Sequence, residues 1–196
     1  MMNLAGIDYS LRGPAICIFA GDYNKTFSFQ QCMFYFLTNT KKHARMYGAN
    51  IAGDSFQIFM DDSERYDSIS DWAMEKILPV DHVCLEGYAY SSNSNRLFQI
   101  AENTGVLKFK IWQKRLPLSV TPPSQIKKFA TGKGNANKDA MYEAFKKETD
   151  VDLMSLITPS SKSVSNPVSD IVDSYYICKY LYTTLSHANA PDASDT

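Results

Sequence analysis

Short apolar runs separated by polar turns fill the first third of the chain, a pattern typical of β-strands. Residues 3–10 and 14–20 are predicted strands of one hairpin, and a third strand is predicted within residues 27–37. The turn between the first two strands ends on Gly13, where we expect a positive φ. Residues 38–62 show no clear period, so they are predicted to form a loop-rich insertion.

Helical periods dominate the rest of the chain. Apolar side chains recur every three to four residues up to Leu78, and Pro79 then ends the helix. Gly105 lies inside a second predicted helix, where it costs about 1 kcal/mol relative to alanine, so we expect another backbone to approach it. The remaining predicted elements are strands at 80–86 and 116–120, a short helix after Pro122, a helix over about 138–148, and a last helix from Pro167 to about 185.

This order of elements predicts an α/β domain: a three-stranded antiparallel start followed by crossover units, which together give a mixed sheet with helices on it. A chain of 196 residues with 44% apolar residues is long enough for one core. We expect the domain to span residues 1–187 and residues 188–196 to be a polar, disordered tail. With no apolar run near the ~20 residues of a membrane span and no signal-peptide pattern, the sequence predicts a cytoplasmic protein with no membrane partner.

Four acidic side chains stand at the ends of predicted elements. Asp8 and Glu86 each follow an apolar strand run, and Asp170 and Asp173 open the last helix at a spacing that puts them on one face. Converging carboxylates repel one another unless cations neutralise them, and their hard oxygen ligands select Mg²⁺ or Mn²⁺. These four residues, here called the carboxylate quartet, predict a two-metal centre that cleaves phosphodiester bonds. Taken singly, Asp8 could instead form a turn, and the helical pair could simply favour the helix dipole.

The charge distribution points to nucleic acid, although the net charge of the whole chain is only −1. Between Lys108 and Lys147 ten basic residues face two acidic ones, a local balance of +8. A smaller basic run at residues 41–45 could add a DNA contact or could be a solvated loop. We therefore expect a phosphate-bearing partner along the 108–147 segment.

Five segments in one order resemble the RuvC-type Holliday junction resolvases. They are residues 6–10, 83–86, 123–128, 131–138 and 169–173. The resemblance implies an RNase H-like fold with a five-stranded mixed sheet and helices on both faces. It also implies a homodimer that nicks four-way DNA junctions, and other branched DNA, with two Mg²⁺ ions per active site, which Mn²⁺ could replace. A divergent, phage-encoded member acting in the host cytoplasm is one interpretation.

The same resemblance gives roles to individual residues. The carboxylate quartet would be catalytic and metal-binding, and the helix carrying Gly105 would pack in the dimer interface. Lys138 suits the charge of the transition state and Lys127 suits phosphate positioning. The further DNA-binding candidates are Lys128, Lys133, Tyr88 and Tyr90, where either tyrosine could stack on a splayed base or pack in the core.

Two other functions stay open at this stage. A nuclease acting on RNA–DNA hybrids could use the same carboxylate quartet, because these ligands do not set the substrate. A non-catalytic junction-binding protein would keep the basic segment but would not need all four acids.

Overall fold

The computed structural model describes residues 2–22, 26–88 and 94–188, without the side chains of residues 94–96. Tyr90 and the predicted tail after residue 188 lie outside the described residues. The described strands are β1 (Met2–Asp8), β2 (Ala15–Gly21), β3 (Cys32–Thr38), β4 (Met46–Tyr47), β5 (Ile51–Ser55), β6 (His82–Glu86) and β7 (Leu118–Thr121). The described α-helices are α1 (Asp62–Ile77), α2 (Ser94–Gln113), α3 (Pro123–Thr131), α4 (Lys138–Thr149), α5 (Leu153–Ile157) and α6 (Val168–Ala188).

The strands form one mixed sheet in the order β4-β5-β3-β2-β1-β6-β7. β2 is antiparallel to both β1 and β3, as predicted, whereas β6 is parallel to β1 and β7 is parallel to β6. In this register Ile7 lies opposite Leu85. The carboxyl ends of β1 and β6 therefore meet at one edge of the sheet.

The predicted count of five strands is wrong, because the described part of the chain holds seven. Both additional strands lie in the 38–62 segment, where β5 pairs parallel with β3 and the two-residue β4 pairs with β5. Of the five residues of β5 only Ile51 and Gly53 are buried. Ile51 is the one large apolar side chain of β5, and β4 has only two residues, so the sequence shows little hydrophobic pattern and the segment resembled a loop.

Helices cover both faces of the sheet, as expected for this fold class. Leu4 of β1 enters a core with α3, α4 and α6, while its neighbours Ala5 and Ile7 contribute to a second core with α1 and α2. Alternate residues of a strand point to opposite faces, which is why one strand serves two cores. No helix within the described residues combines the length and apolar character that a membrane crossing requires.

Three glycines show where backbones come close and where they do not. A Cβ on Gly6 would lie 2.2 Å from the Cys178 backbone nitrogen, so β1 and α6 pack backbone to backbone. Among the described residues nothing lies within 4 Å of a Cβ placed on Gly105, so within this chain no backbone approaches it. Gly13 does not have the expected positive φ; instead, a Cβ there would lie 2.8 Å from Asp170 Oδ2.

Candidate metal centre

Two members of the carboxylate quartet come from adjacent parallel strands. Asp8 is the last residue of β1 and Glu86 is the last residue of β6, which confirms their predicted positions at strand ends. Both side chains are partly buried, whereas Ile7 and Leu85, which precede them, are fully buried. The buried residues fix the strands, and the strands hold the two carboxylates at the sheet edge.

The other two members come from the start of α6. This helix begins at Val168, so Asp170 lies in its first turn and Asp173 follows one turn later, as predicted. Asp170 is buried, with 6% of its surface exposed. Close packing at Gly6 brings α6 onto β1, and the missing side chain of Gly13 leaves room for Asp170. Two glycines on the hairpin therefore allow the helical pair to reach the strand pair.

The four carboxyl groups influence one another electrostatically. Burial, followed by the charges of Asp170, Asp173 and Glu86, raises the pKa of Asp8 well above its usual value. Burial is also the main cause that raises the pKa of Glu86 to about 7, of Asp170 to about 7 and of Asp173 to about 6. Burial therefore makes the ionised form of these carboxyl groups unfavourable, and a bound cation would stabilise that form.

The polar contacts of Asp170 are incomplete. Its Oδ1 accepts a hydrogen bond from the Ser169 hydroxyl at 3.2 Å, but its buried Oδ2 has no hydrogen-bond partner among the described residues. A buried carboxylate oxygen without a donor is costly unless something else binds it. Among the described residues no group of three His, Cys, Asp or Glu side chains is arranged so that it could hold a metal ion as it stands; mutual repulsion between carboxylates opposes such an approach.

Lys138 lies directly beside the carboxylate quartet. Its Nζ donates to Asn166 Oδ1 at 3.2 Å and to Ser169 Oγ at 3.1 Å, and its charge lowers the pKa of Asp8, Asp170 and Asp173 against the effect of burial. The residue is the first of α4 and is capped by Asn137. The structure thus brings the predicted lysine to the four acids.

Lys127 approaches the same centre from α3. Its charge lowers the pKa of Glu86 and Asp173, again against the larger effect of burial. α3 begins at Pro123, just after the end of β7 at Thr121. Where β7 pairs with β6, Thr121 lies opposite Glu86. The crossover from β7 therefore places the helix at the carboxyl edge of the sheet, where the quartet lies.

A cleft of about 490 Å³ opens beside the strand pair. Its walls come from the β1–β2 turn, α1, the segment after β6 and α2. Among the residues that line it are Asp8, Glu86, Tyr88, Arg12, Arg65 and Asn166. The cleft gives an extended ligand access to the carboxylates.

The family comparison covers the middle of the chain, which includes Glu86, Lys127 and Lys138. The family model described as "Crossover junction endodeoxyribonuclease RuvC" matches residues 61–163, which is more than half of the chain. The chain belongs to the RuvC family. Membership in this family makes it a nuclease of the class that acts on DNA junctions.

Solved RuvC-type structures share the fold at low sequence identity. A Thermus thermophilus RuvC in complex with Holliday junction substrate aligns with a TM-score of 0.59 and 12% identity over 96% of this chain and 95% of that chain. Another Thermus thermophilus RuvC structure aligns with a TM-score of 0.57 and 16% identity over 95% of this chain and 95% of that chain. The yeast mitochondrial Holliday junction resolvase aligns with a TM-score of 0.56 and 13% identity over 95% of this chain and 81% of that chain. These likenesses show the RuvC fold.

The predicted DNA-binding residues of this RuvC family member are distributed unevenly. Tyr88 is 42% exposed at the cleft, and the Lys108 Nζ lies 5.0 Å from the centre of its ring, so core packing is not its role. Lys128 and Lys133 are exposed on and just after α3, and their contact with DNA stays a prediction.

The basic segment as a whole is less available than its local charge suggests. Lys110 pairs with Asp67 at 2.6 Å and with Asp71 at 2.7 Å, which ties α2 to α1. Lys146 pairs with Asp152 at 2.9 Å. These two lysines serve the fold, so a count of positive charges along the sequence overstated the surface that DNA can use.

Sequence reasoning missed Asn166, which contacts Lys138 and lines the cleft. A Cβ on Gly13 would lie 3.1 Å from the Asn166 Nδ2, so this side chain also packs close to the β1–β2 turn. The sequence could have indicated Asn166, because it stands four residues before Asp170 and the Asn166-Pro167 pair begins the helix that carries the acids.

Proposed function

We propose that this protein is a divalent-metal-dependent endonuclease that resolves four-way DNA junctions by paired nicks, as a homodimer. The observation that carries the proposal is the carboxylate quartet: four partly or fully buried acids from β1, β6 and α6, with raised pKa values, beside Lys138. Family membership supports the junction as substrate, as does the structural relative that was solved in complex with Holliday junction substrate.

The residues fit a pair of Mg²⁺ ions, for which Mn²⁺ could substitute. All four candidate ligands offer hard carboxylate oxygens, and the buried Asp170 Oδ2 has no hydrogen-bond partner in the part of the chain that the structure describes. Burial penalises the charged form of each acid, a cost that bound cations would remove. When bound, two such ions activate a water and stabilise the leaving oxygen in phosphodiester hydrolysis. Asp8, Glu86, Asp170 and Asp173 would hold them.

The chain's own groups would supply binding, positioning and charge. Lys138 is held by Asn166 and Ser169, so its ammonium is oriented before DNA arrives and can stabilise negative charge that develops on the phosphate. Lys127 can position a neighbouring phosphate oxygen from α3. Tyr88 at the cleft offers an exposed ring on which an unpaired base can stack.

A homodimer is supported by the exposed face of α2. Phe98, Gly105 and Trp112 are spaced by seven residues, and the exposed Phe109 stacks on Trp112 with ring centres 5.8 Å apart. Gly105 has open space over it, flanked by exposed aromatic rings. A heptad-spaced apolar stripe with a central glycine suits close packing against the same helix of a second copy. Two copies would present two centres to the two strands of a symmetric junction.

The deciding experiment compares end-labelled substrates under identical conditions: a four-way junction, a flap, a linear duplex and an RNA–DNA hybrid. We expect cutting in Mg²⁺ or Mn²⁺, none in EDTA, and symmetric paired nicks on the four-way junction. Cutting of the hybrid alone would overturn the junction-resolving proposal. Failure to cut any substrate with either metal would overturn the nuclease proposal.

A further inference from the structure

A second cleft, of about 440 Å³, lies between the 38–62 insertion and the loop before α6. One wall is formed by residues 42–45, which the sequence left open as a DNA contact or a solvated loop. The other wall is formed by residues 157–161 and 165–166. We call it the basic cleft, and its described lining contains no acidic residue.

The chemistry of the basic cleft suits phosphate. Lys42 and Arg45 are exposed on one wall, and neither forms a salt bridge within the described part of the chain. The facing wall carries hydroxyl groups, from Thr158, Ser160, Ser161 and Ser165. Cations combined with short hydroxyl side chains are the groups that contact phosphate oxygens of nucleic acid without reading its sequence.

The cationic wall is held in place by the insertion strands. Gly53 of β5 lies so close to the His43 carbonyl that a Cβ would come within 2.1 Å of that oxygen, and the Gly53 amide donates to the Arg45 carbonyl at 3.0 Å. The His43 Nδ1 lies 3.0 Å from the Tyr47 hydroxyl, and the Arg45 guanidinium stacks over the Tyr47 ring at 4.8 Å. The two strands that sequence analysis missed thus fix this turn against the sheet.

The local potential at this turn is positive. Burial first, and then the charges of Lys42 and Arg45, lower the pKa of His43. The ring is therefore neutral near pH 7 and serves as a hydrogen-bonding support. The two exposed cations keep their charge available to a ligand.

The basic cleft connects with the metal centre through one residue. Asn166 lines both the basic cleft and the cleft beside Asp8 and Glu86. Its side chain accepts a hydrogen bond from Lys138 at 3.2 Å. A strand whose scissile phosphate lies at the quartet can therefore continue past Asn166 into the basic cleft.

We infer that the basic cleft binds the phosphodiester backbone of the cleaved DNA strand next to the scissile phosphate, with Lys42 and Arg45 as its cationic contacts. This inference rests on the proposed function and adds to it a second contact surface, built from the 38–62 insertion. The contact neutralises phosphates without sequence recognition, and it sets the direction in which the strand leaves the metal centre.

The test measures the salt dependence of junction binding in Ca²⁺, which is used so that the junction stays uncut. Each lost phosphate contact should make the slope of log K, the association constant, against log[NaCl] less steep by about 0.9. The same loss should weaken binding roughly eightfold at 0.1 M salt. We expect a change of about one contact for Lys42→Ala and about two for Lys42→Ala/Arg45→Ala. Lys76→Ala is the matched control and should leave the slope unchanged, because Lys76 lies outside the 108–147 segment and both clefts and already pairs with Asp54 at 3.6 Å and Glu75 at 3.0 Å.

A second measurement locates the contact. Single neutral methylphosphonates placed along the cleaved strand should weaken wild-type binding at phosphates flanking the cut, and the same substitutions should have no further effect on the double variant. Because Arg45 also packs on Tyr47, the Lys42→Ala variant and thermal unfolding exclude a folding defect as the cause. Wild-type slope and wild-type methylphosphonate sensitivity in these variants would overturn the inference. Failure of the wild-type protein to bind or cut junctions would instead count against the proposed function.

Discussion

The backbone of Gly6 in β1 lies against the backbone of Cys178 in α6, with 2.2 Å between a Cβ placed on Gly6 and the Cys178 nitrogen. Rigid backbone cannot yield to a methyl group as a flexible side chain can. Gly6→Ala should therefore lower the free energy of unfolding by about 1–3 kcal/mol, as overpacked core variants do. It should also displace the acids of α6 from Asp8.

Chemical denaturation and a Mn²⁺-dependent shift in melting temperature check this prediction. The variant should unfold at lower denaturant concentration and show a smaller Mn²⁺ shift than the wild type. An unchanged midpoint together with an unchanged Mn²⁺ shift would contradict the close packing of β1 and α6.

Neutralising one member of the carboxylate quartet should remove cleavage and leave junction binding. Loss of a metal ligand removes several kcal/mol of transition-state stabilisation, so Asp8→Asn should slow cutting by at least about a hundredfold. Glu86→Gln should do the same, whereas Glu75→Gln, on the exposed surface of α1, is the matched control. Cleavage rates and gel-shift affinities separate the two effects.

The same variant should be more stable than the wild type in EDTA. The pKa of Asp8 is raised in the folded state, so the wild type loses stability as pH rises from the unfolded pKa of about 4 through the folded value. Asparagine carries no charge and avoids that loss. The melting temperature of Asp8→Asn should exceed that of the wild type at pH 8, and the gap should close near pH 4. A lower melting temperature of Asp8→Asn at pH 8 would contradict a raised pKa for Asp8, which burial and then the neighbouring carboxylates cause.

Lys138 should act on the chemical step more than on binding. Lys138→Met removes the ammonium that Asn166 and Ser169 hold beside the quartet, so cleavage at saturating protein should fall by about 10²–10³-fold. Lys147→Met changes an exposed lysine on the same helix and should cut at the wild-type rate. Single-turnover rates check this, and equal rates for the two variants would exclude a role for Lys138 in the reaction.

The exposed stripe on α2 should control oligomeric state. Trp112→Glu places a charge at the proposed helix contact, so light scattering should change from a dimer mass to a monomer mass. Leu156→Glu alters an exposed leucine of α5 and should leave the dimer intact. The monomeric variant should lose paired nicking of four-way junctions. A Trp112→Glu protein that remains dimeric would contradict this interface.

Asp152 should contribute stability that depends on pH. Its carboxylate caps α5 through the Ser155 amide at 3.0 Å and accepts from Tyr142 at 2.7 Å and Lys146 at 2.9 Å, which hold its pKa well below the usual value. A depressed pKa stabilises the fold above the unfolded pKa of about 4, and that stability is lost as pH falls through the folded value.

Asp152→Ala should therefore cost about 1 kcal/mol at pH 7, the usual value for a lost helix cap, since solvent screens the partly exposed ion pair. The difference from the wild type should shrink toward pH 2. Urea unfolding at a series of pH values measures it, and a difference that does not change with pH would exclude the ionised carboxylate as its source.

The sequence allowed the carboxylate quartet to be predicted because its members follow strong patterns. Asp8 and Glu86 end apolar strands, and Asp170 lies in the first turn of a long apolar helix. The predicted positions are found in the structure because buried neighbours on the same elements, such as Ile7 and Leu85, hold the acids in place.

Other features depended on contacts that no local pattern shows. β4 has only two residues and β5 has Ile51 as its one large apolar side chain, so neither shows a clear hydrophobic pattern; β5 pairs with β3, and β4 pairs with β5. The sequence predicted that another backbone approaches Gly105; none of the described residues does so, and the dimer proposal assigns this open face to a second copy. The role of Asn166 depends on its contact with Lys138 and on its place in the cleft, which only the folded chain shows.

The packing of α6 on β1 has a consequence for the order of events during synthesis. Asp8 and Glu86 emerge early from the ribosome, whereas Asp170 and Asp173 belong to the last helix of the described chain. A nascent chain that has made both strands but not α6 lacks half of the quartet and the partner surface for Gly6. Under the proposed function, cleavage would require α6 to dock, so a chain that has not yet made this helix would not cut DNA.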